Sequence, residues 1–193
     1  MGRTARLIFN VFKLRIGIVI AITALAGIAI TPGPQVPLWQ VAILGLAVLL
    51  SSASAGAFNQ YYEVDLDRKM DRTRRRPFAT GVLHANRGWL TLIVLLTVLP
   101  VAVAWHAVNP LAAIFTFLGA FFYAVVYTVW LKRRTWWNIV IGGMAGSFAV
   151  LAGAATVTPS LSPEAMLLAL VLFLWTPSHF WSLAIAFHDD YAK

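Results

Sequence analysis

The chain has 193 residues, of which 60% are hydrophobic and 11% are charged, with 15 Lys and Arg against seven Asp and Glu. Soluble domains carry about 45–50% apolar and about 25% charged residues, so this composition excludes a soluble globular enzyme and a disordered chain. The absence of Cys excludes a disulfide framework, a thiolate zinc site and a cysteine nucleophile. The net charge of +8 would indicate a nucleic-acid partner only if membrane topology did not explain it.

Two long intervals without charge predict the first four membrane-spanning helices. No charged residue occurs between Arg15 and Glu63, nor between Arg87 and Lys132. Because one crossing needs about 20 apolar residues, each interval holds two helices and a tight turn. The Pro- and Gly-containing segment 31–34 and the segment 108–110 are the predicted turns.

Two further spans are predicted after Arg134, over residues 135–157 and 163–188, with a turn between them. The predicted fold is an all-α, polytopic membrane bundle of six helices in three hairpins, since helices satisfy their own backbone hydrogen bonds in lipid. Close helix packing is expected where small residues cluster, at Gly142, Gly143 and Gly146. A cleaved signal peptide is a weaker interpretation of the first apolar run, because the same basic–apolar pattern recurs downstream.

The basic residues all fall on one predicted face of the bundle. They lie in the N-terminal segment, in the loops after the second and fourth helices, and at Lys193. The positive-inside rule therefore makes this face, with the N-terminus, cytoplasmic. Topology explains the excess positive charge, and no nucleic-acid partner is expected.

Four of the seven carboxylates fall within nine residues at the cytoplasmic end of the second helix. Steps of four advance about 40° around a helix, so Asn59, Glu63 and Asp67 share one stripe. Asp65 projects from nearly the opposite side, where Lys69 at i+4 is its expected partner. Like charges at i,i+4 weaken a helix, and local conflicts of this kind are commonest at functional sites.

Oxygen ligands without Cys or His suit a hard cation, Mg²⁺ above all. Mg²⁺ usually takes one or two carboxylates and fills its other positions with water and substrate phosphate. The Arg residues that follow the stripe would neutralise the same phosphate, so the pattern predicts a diphosphate site. An ordinary solvated loop is the alternative for Arg74–Arg76, but acidic residues contribute little to topology and are costly near the membrane.

Several stretches resemble the UbiA superfamily of intramembrane prenyltransferases. Asn59, Glu63 and Asp67 occupy the first, fifth and ninth places of its first aspartate-rich motif. Within the superfamily the resemblance is to the protohaem IX farnesyltransferase (haem O synthase) branch, and it runs over nearly the whole chain. It rests on residues 59–63, 67–73, 76–77, 127–135, 138–143 and 175–184, the last with Ser178 in place of the family's second Pro.

The resemblance implies transfer of a farnesyl group from farnesyl diphosphate to a vinyl group of haem b, giving haem o, with Mg²⁺-assisted loss of diphosphate. It implies a single transmembrane domain over residues 1–193 in the cell inner (cytoplasmic) membrane. Family members have about nine helices, so about three C-terminal helices are expected to be missing. Beyond the lipid bilayer, a downstream haem-modifying enzyme or terminal oxidase assembly factors are candidate partners.

The resemblance also implies the roles of individual residues. The expected catalytic residues and metal ligands are Asn59, Glu63, Asp67 and, across the cavity, Asp190. The expected diphosphate-binding residues are Arg72, Arg76, Lys132 and His188.

Three residues are candidates for contact with a carbocation or with haem: Tyr123, Tyr127 and His179. Tyrosine near a helix end is also typical of an interfacial anchor, and His179 would equally suit a helix–helix hydrogen bond. Two other functions stay open. One is prenyl transfer to an aromatic acid, a quinone precursor or a chlorophyll-type macrocycle, and the other is a non-enzymatic cation transporter or assembly factor.

Overall fold

A computed structural model describes residues 2–188 as a bundle of α-helices with one π-helix, and this range contains no β-strand. The elements follow in the order α1 (Arg3–Val11), α2 (Leu14–Ile30), α3 (Leu38–Tyr62), α4 (Val64–Asp67), α5 (Arg87–Ala107), α6 (Pro110–Phe121), the π-helix (Phe122–Leu131), α7 (Asn138–Gly142), α8 (Met144–Val157) and α9 (Pro163–Ala186). α6 continues directly into the π-helix, and the short α7 leads into α8.

Five helical segments of the described chain are long and apolar enough to cross a membrane, with mean hydropathies from 1.6 to 2.2. They are α3, α5, α6 with the π-helix, α7 with α8, and α9. A sixth span is reached when α1 and α2, which meet at a bend of 57°, are counted together. The predicted all-α membrane bundle is confirmed.

Two of the predicted turns coincide with helix caps. The side chain of Asn109 accepts a hydrogen bond from the backbone N–H of Ala112, and Pro110 occupies the first turn of α6. Ser162 caps α9 in the same way, with Pro163 following it. Each cap accepts a hydrogen bond from a backbone N–H that the helix leaves unpaired, and the proline at the first helical position has no N–H of its own to pair. The chain can therefore turn sharply between two spans.

The centre of the bundle is formed by α3 and α8, and half of the most apolar stretch of each is buried. α2 packs against both of them, and α6 packs against α8. The core at this junction is rich in small side chains, among them Ala24, Ala149, Ala152 and Ala155. Small residues let backbones approach closely where lipid supplies no hydrophobic drive for association.

The tightest helix contact lies where α2 crosses α8. A Cβ atom at Gly153 would overlap the carbonyl oxygen of Ala24, and one at Gly27 would overlap that of Val150. Neither glycine belongs to the predicted cluster, so the sequence pattern alone missed this crossing.

The predicted glycine cluster packs only in part. A Cβ at Gly142 would lie 2.8 Å from the Tyr127 ring, and one at Gly143 would lie 3.1 Å from the Thr176 side chain. Gly146 has nothing within 4 Å, so the prediction of close packing is wrong for it.

We expect Gly153→Ala to destabilise the protein, because the added methyl meets backbone, which cannot move aside. Overpacking of this kind costs about 1–3 kcal/mol. Gly146→Ala is the matched control, since it makes the same change in the same helix with open space around it. Thermal unfolding in detergent, followed by circular dichroism, measures both, and equal midpoints for the two variants would contradict the crossing.

Candidate functional site

Asn59, Glu63 and Asp67, the carboxylate stripe, keep their helical spacing although the helix that carries them is interrupted. α3 ends at Tyr62, Glu63 has non-helical backbone angles (φ −100°, ψ 23°), and α4 follows at once. The Glu63 N–H donates to the Asn59 carbonyl at 3.1 Å, and the Asp67 N–H donates to the Glu63 carbonyl at 2.8 Å. Asn59, Glu63 and Asp67 therefore remain one turn apart, as the spacing predicts.

Glu63 is fully buried and its two carboxylate oxygens differ in their contacts. Oε2 accepts hydrogen bonds from Asn59 Nδ2 at 2.6 Å and from Lys132 Nζ at 2.5 Å. Oε1 is buried with no hydrogen-bond partner. An unpaired buried carboxylate oxygen is costly, and a ligand from outside the protein would relieve that cost.

Asp67 is held by Arg76, whose Nη1 lies 2.8 Å from Oδ1 and 2.9 Å from Oδ2. The Asp67 side chain is 4% exposed, against 22% for Arg76. The loop that brings Arg76 back is anchored by Phe78, which is buried edge-on against the rings of Tyr61 and Trp89. The loop after α4 is thus folded onto the end of α3, and this places Arg76 against the Asp67 carboxylate.

Lys13 is a site residue that the sequence pattern did not reveal. It lies at the bend between α1 and α2 in the left-handed conformation (φ 47°, ψ 43°), which costs a non-glycine residue about 1–2 kcal/mol. Its Nζ donates to Asn59 Oδ1 at 2.7 Å and to the Tyr123 hydroxyl at 3.0 Å. In the sequence it counts only as one more basic residue before an apolar run, which indicates topology and nothing more.

The π-helix presents Tyr123, Tyr127 and Thr128 to the same region. The two tyrosine rings stack with centroids 5.8 Å apart, and Lys132 Nζ lies 5.7 Å from the centroid of Tyr127. Thr128 is fully buried beside Asn59, whose Nδ2 lies 3.4 Å from its hydroxyl. The sequence predicts an α-helical span here, but residues Phe122–Leu131 form a π-helix, whose wider turn sets the spacing. π segments are frequent at functional sites.

Asp65 pairs with Arg133 and not with Lys69, so that expectation is wrong. Arg133 donates to both carboxylate oxygens, at 2.8 and 3.1 Å, and its guanidinium lies over the Tyr62 ring at 5.6 Å. α4 ends at Asp67, which removes the helical register that Lys69 would need. The hydrogen bonds from Arg133 lower the pKa of the exposed Asp65 carboxyl. This pair ties the loop after α4 to the loop that carries Lys132.

Three other residues predicted for the site lie nearer the surface of the protein than Glu63 and Asp67 do. Arg72, His179 and His188 have exposed side chains. The His179 ring stacks on Trp175 at 4.5 Å and meets Phe180 edge-on at 5.6 Å, all within α9. Asp190 lies outside the described residues, so its place in the site is untested.

Asn59, Glu63 and Asp67 could hold a metal ion only if water or a phosphate group supplied the remaining ligand atoms. Within residues 2–188, no three His, Asp or Glu side chains form a group that could hold a metal ion. Two carboxylates and the Asn59 amide do suit Mg²⁺, which commonly completes its shell with water and phosphate oxygens. The unpaired Oε1 of Glu63 is the observation in favour of that fit.

The family model described as the UbiA prenyltransferase family matches residues 20–193. Protoheme IX farnesyltransferase 2 of Paramagnetospirillum magneticum is 59% identical over 100% of this chain and 67% of its own length. Protoheme IX farnesyltransferase 1 of the same organism is 50% identical, covering 98% of the chain and 66% of the relative. Protoheme IX farnesyltransferase of Gluconacetobacter diazotrophicus is 42% identical over 100% of the chain and 61% of the relative.

The chain thus spans between 61% and 67% of the length of these curated relatives. No solved structure matches it. The family match extends over nearly the whole chain and includes the carboxylate stripe, Arg76, Lys132 and the π-helix, whereas Lys13 precedes the matched range. The chain belongs to the UbiA prenyltransferase family.

Proposed function

We propose that this chain carries the prenyl diphosphate site of a farnesyltransferase acting on haem b. The reaction joins the farnesyl carbon of farnesyl diphosphate to a vinyl group, water adds, diphosphate leaves, and haem o results. The names of the three relatives support the donor and the acceptor. The observation that carries the proposal is the fully buried Glu63, with one unpaired oxygen and a Lys partner, at the end of a membrane-length helix.

UbiA prenyltransferases generally use divalent metal ions with their diphosphate substrates. We propose that the ion here is Mg²⁺, held by Asn59, Glu63 and Asp67 with Asp190. When bound, it would supply positive charge that stabilises the departing diphosphate. The donor set is of oxygen only, which suits Mg²⁺ and excludes a thiolate-bound metal.

The basic residues of the site supply the rest of the electrostatic stabilisation. Lys132 and Arg76 each have a nitrogen within 3 Å of a carboxylate that would hold the metal, so a diphosphate at that metal lies within reach of both. Preorganised donors aimed at developing charge are usually the largest contribution to catalysis of this kind. Arg72 and His188 are further candidates for the same role.

Tyr123 and Tyr127 would face the farnesyl cation. Their stacked rings lie beside the Lys13 and Lys132 ammonium groups, one at each ring. Aromatic faces stabilise a passing carbocation without offering it a nucleophile. His179, which lies in α9, is the proposed haem contact.

We also propose that the N-terminus and the basic loops face the cytoplasm from the cell inner membrane. The substrates in this arrangement are haem b and farnesyl diphosphate, and the protein is a single transmembrane domain. A downstream haem-modifying enzyme or terminal oxidase assembly factors are the proposed protein partners.

Farnesyl transfer is tested with an extended protein. It consists of this chain followed by the part of Protoheme IX farnesyltransferase 2 of Paramagnetospirillum magneticum that the chain does not cover. Membranes containing this protein receive haem b, farnesyl diphosphate and Mg²⁺, and haem o is measured by mass spectrometry. We expect haem o to form only when all three are present. Farnesylation of 4-hydroxybenzoate instead would overturn the acceptor, and no product from either acceptor would overturn the proposed function.

A further inference from the structure

Each of the three described side chains proposed to hold the metal accepts a hydrogen bond from a basic group of the protein itself. Asn59 Oδ1 accepts from Lys13 at 2.7 Å. Glu63 Oε2 accepts from Lys132 at 2.5 Å, and Asp67 accepts from Arg76 at 2.8 Å. A metal ion reaches Asn59 Oδ1 fully only if the Lys13 ammonium group turns away, whereas Glu63 still offers its unpaired Oε1.

The charges in this cluster disfavour a bare metal ion. Among the described residues, three basic side chains face two carboxylates, which leaves a net charge of +1 where the carboxylates are buried and the basic groups are partly buried. Repulsion between like charges is stronger in such surroundings than in water. A diphosphate carries the opposite sign, so its arrival would favour both the basic groups and the metal.

Lys13 supplies that excess charge. Lys132 and Arg76 are each neutralised by a carboxylate, whereas the two hydrogen-bond acceptors described for Lys13 are the neutral oxygens of Asn59 and Tyr123. Within residues 2–188, therefore, no carboxylate pairs with the Lys13 ammonium group, and an anion can take that place.

Packing and hydrogen bonds with α3 hold Lys13 in its position. Its alkyl chain packs over Gly56, where a Cβ atom would lie 3.3 Å from Lys13 Cδ. The Gln60 amide donates to the carbonyls of Asn10 and Val11 at 2.8 and 3.0 Å, which fixes the end of α1. Gly56, Asn59 and Gln60 all lie on α3, so one helix holds both the metal ligand and the bend that presents Lys13.

We propose that Lys13 binds the diphosphate and keeps Asn59 from the metal until the diphosphate arrives. This rests on the proposed function of the same site. When the diphosphate enters, the Lys13 ammonium moves from Asn59 Oδ1 to a phosphate oxygen, and the amide oxygen is released to the metal. Metal and diphosphate then strengthen each other's binding, and the coupling is reciprocal.

The test measures binding of Mn²⁺, in place of Mg²⁺, to the purified chain by electron paramagnetic resonance, with and without inorganic diphosphate. Free Mn²⁺ is calculated after allowing for its complex with diphosphate in solution. For the unaltered chain we expect diphosphate to tighten Mn²⁺ binding by about 10-fold or more. Lys13→Met is expected to bind Mn²⁺ alone more tightly and to show little further gain from diphosphate.

Two more variants separate charge from structure. Lys13→Gln retains a hydrogen-bond donor for Asn59 and Tyr123 but loses the charge, so it should fold like the parent and lose the coupling. Lys69→Met removes an exposed lysine from the loop after α4 and should keep the coupling.

The outcomes for Lys13 and for the proposed function are distinct. Coupling in Lys13→Gln equal to that of the unaltered chain would overturn the role of Lys13 while leaving the metal site in place. An unaltered chain that binds no Mn²⁺ even with diphosphate would overturn the proposed function, and this inference with it.

Discussion

Asp67→Asn is expected to lower haem o formation by the extended protein by about 100-fold or more, the loss typical when a main electrostatic group is removed from a site. The Asp67 carboxylate is 4% exposed and lies against Arg76, so its charge acts in surroundings that screen it little. The amide fills the same space and still accepts a hydrogen bond from Arg76, but it is a far weaker metal ligand. Product formation and thermal unfolding are measured on the same preparations.

Asp71→Asn is the matched control for that variant. Asp71 is the next carboxylate along the loop, is 54% exposed and pairs with Arg74 at 3.2 Å. We expect its replacement to leave haem o formation within a factor of about three, because exposed ion pairs contribute little. Similar losses of haem o formation in both variants would show that activity depends on the loop as a whole and not on the Asp67 carboxylate.

The second large effect is on stability, and it comes from the Glu63–Lys132 pair. Glu63 is fully buried, whereas Lys132 is 32% exposed. Lys132→Met is expected to destabilise the protein by about 3–5 kcal/mol, because it leaves a buried carboxylate without its counter-ion. Glu63→Gln should cost less, since the lysine left behind can extend its ammonium group towards solvent.

The double variant separates stability from catalysis. Glu63→Gln combined with Lys132→Met removes both charges, so we expect unfolding in detergent close to that of Glu63→Gln alone, with the excess cost of Lys132→Met recovered. Haem o formation should stay as low as in the worse single variant. Additive destabilisation in this cycle would mean that the two side chains do not interact as the structure describes.

The fold was largely predictable because membranes constrain sequences strongly. The charge-free intervals predicted the first four crossings, and Asn109–Pro110 and Ser162–Pro163 marked turns through a capping chemistry that acts over four residues. The bend between α1 and α2 was not predictable in this way. It depends on a left-handed lysine that Gln60, 47 residues later, holds in place through the end of α1.

The site was predictable where its residues lie close together in the sequence. Asn59, Glu63 and Asp67 follow a four-residue spacing, and backbone hydrogen bonds maintain it across the break at Glu63. Lys13 reaches Tyr123 across 110 residues, and Arg133 reaches Asp65 across 68. Contacts at such separations depend on how the helices pack, which a helical spacing rule does not describe.

The π-helix shows the same limit at shorter range. Its residues are apolar and aromatic, and nothing in that composition distinguishes π from α hydrogen bonding. The backbone N–H of Lys132 donates to Tyr127, five residues earlier, at 2.9 Å. That wider turn is what places Thr128 against Asn59 while Lys132 reaches Glu63.

We propose that Asn59, Glu63 and Asp67 form a diphosphate site that depends on a metal ion. Its most direct test is the binding of radiolabelled farnesyl diphosphate to the purified chain, with Mg²⁺ and with a chelator, for the unaltered protein and for Asp67→Asn. We expect binding that requires Mg²⁺ and that falls by about 10-fold or more in Asp67→Asn, as expected for the loss of a charged ligand. Binding that is equal with Mg²⁺ and with chelator, or unchanged in Asp67→Asn, would contradict it.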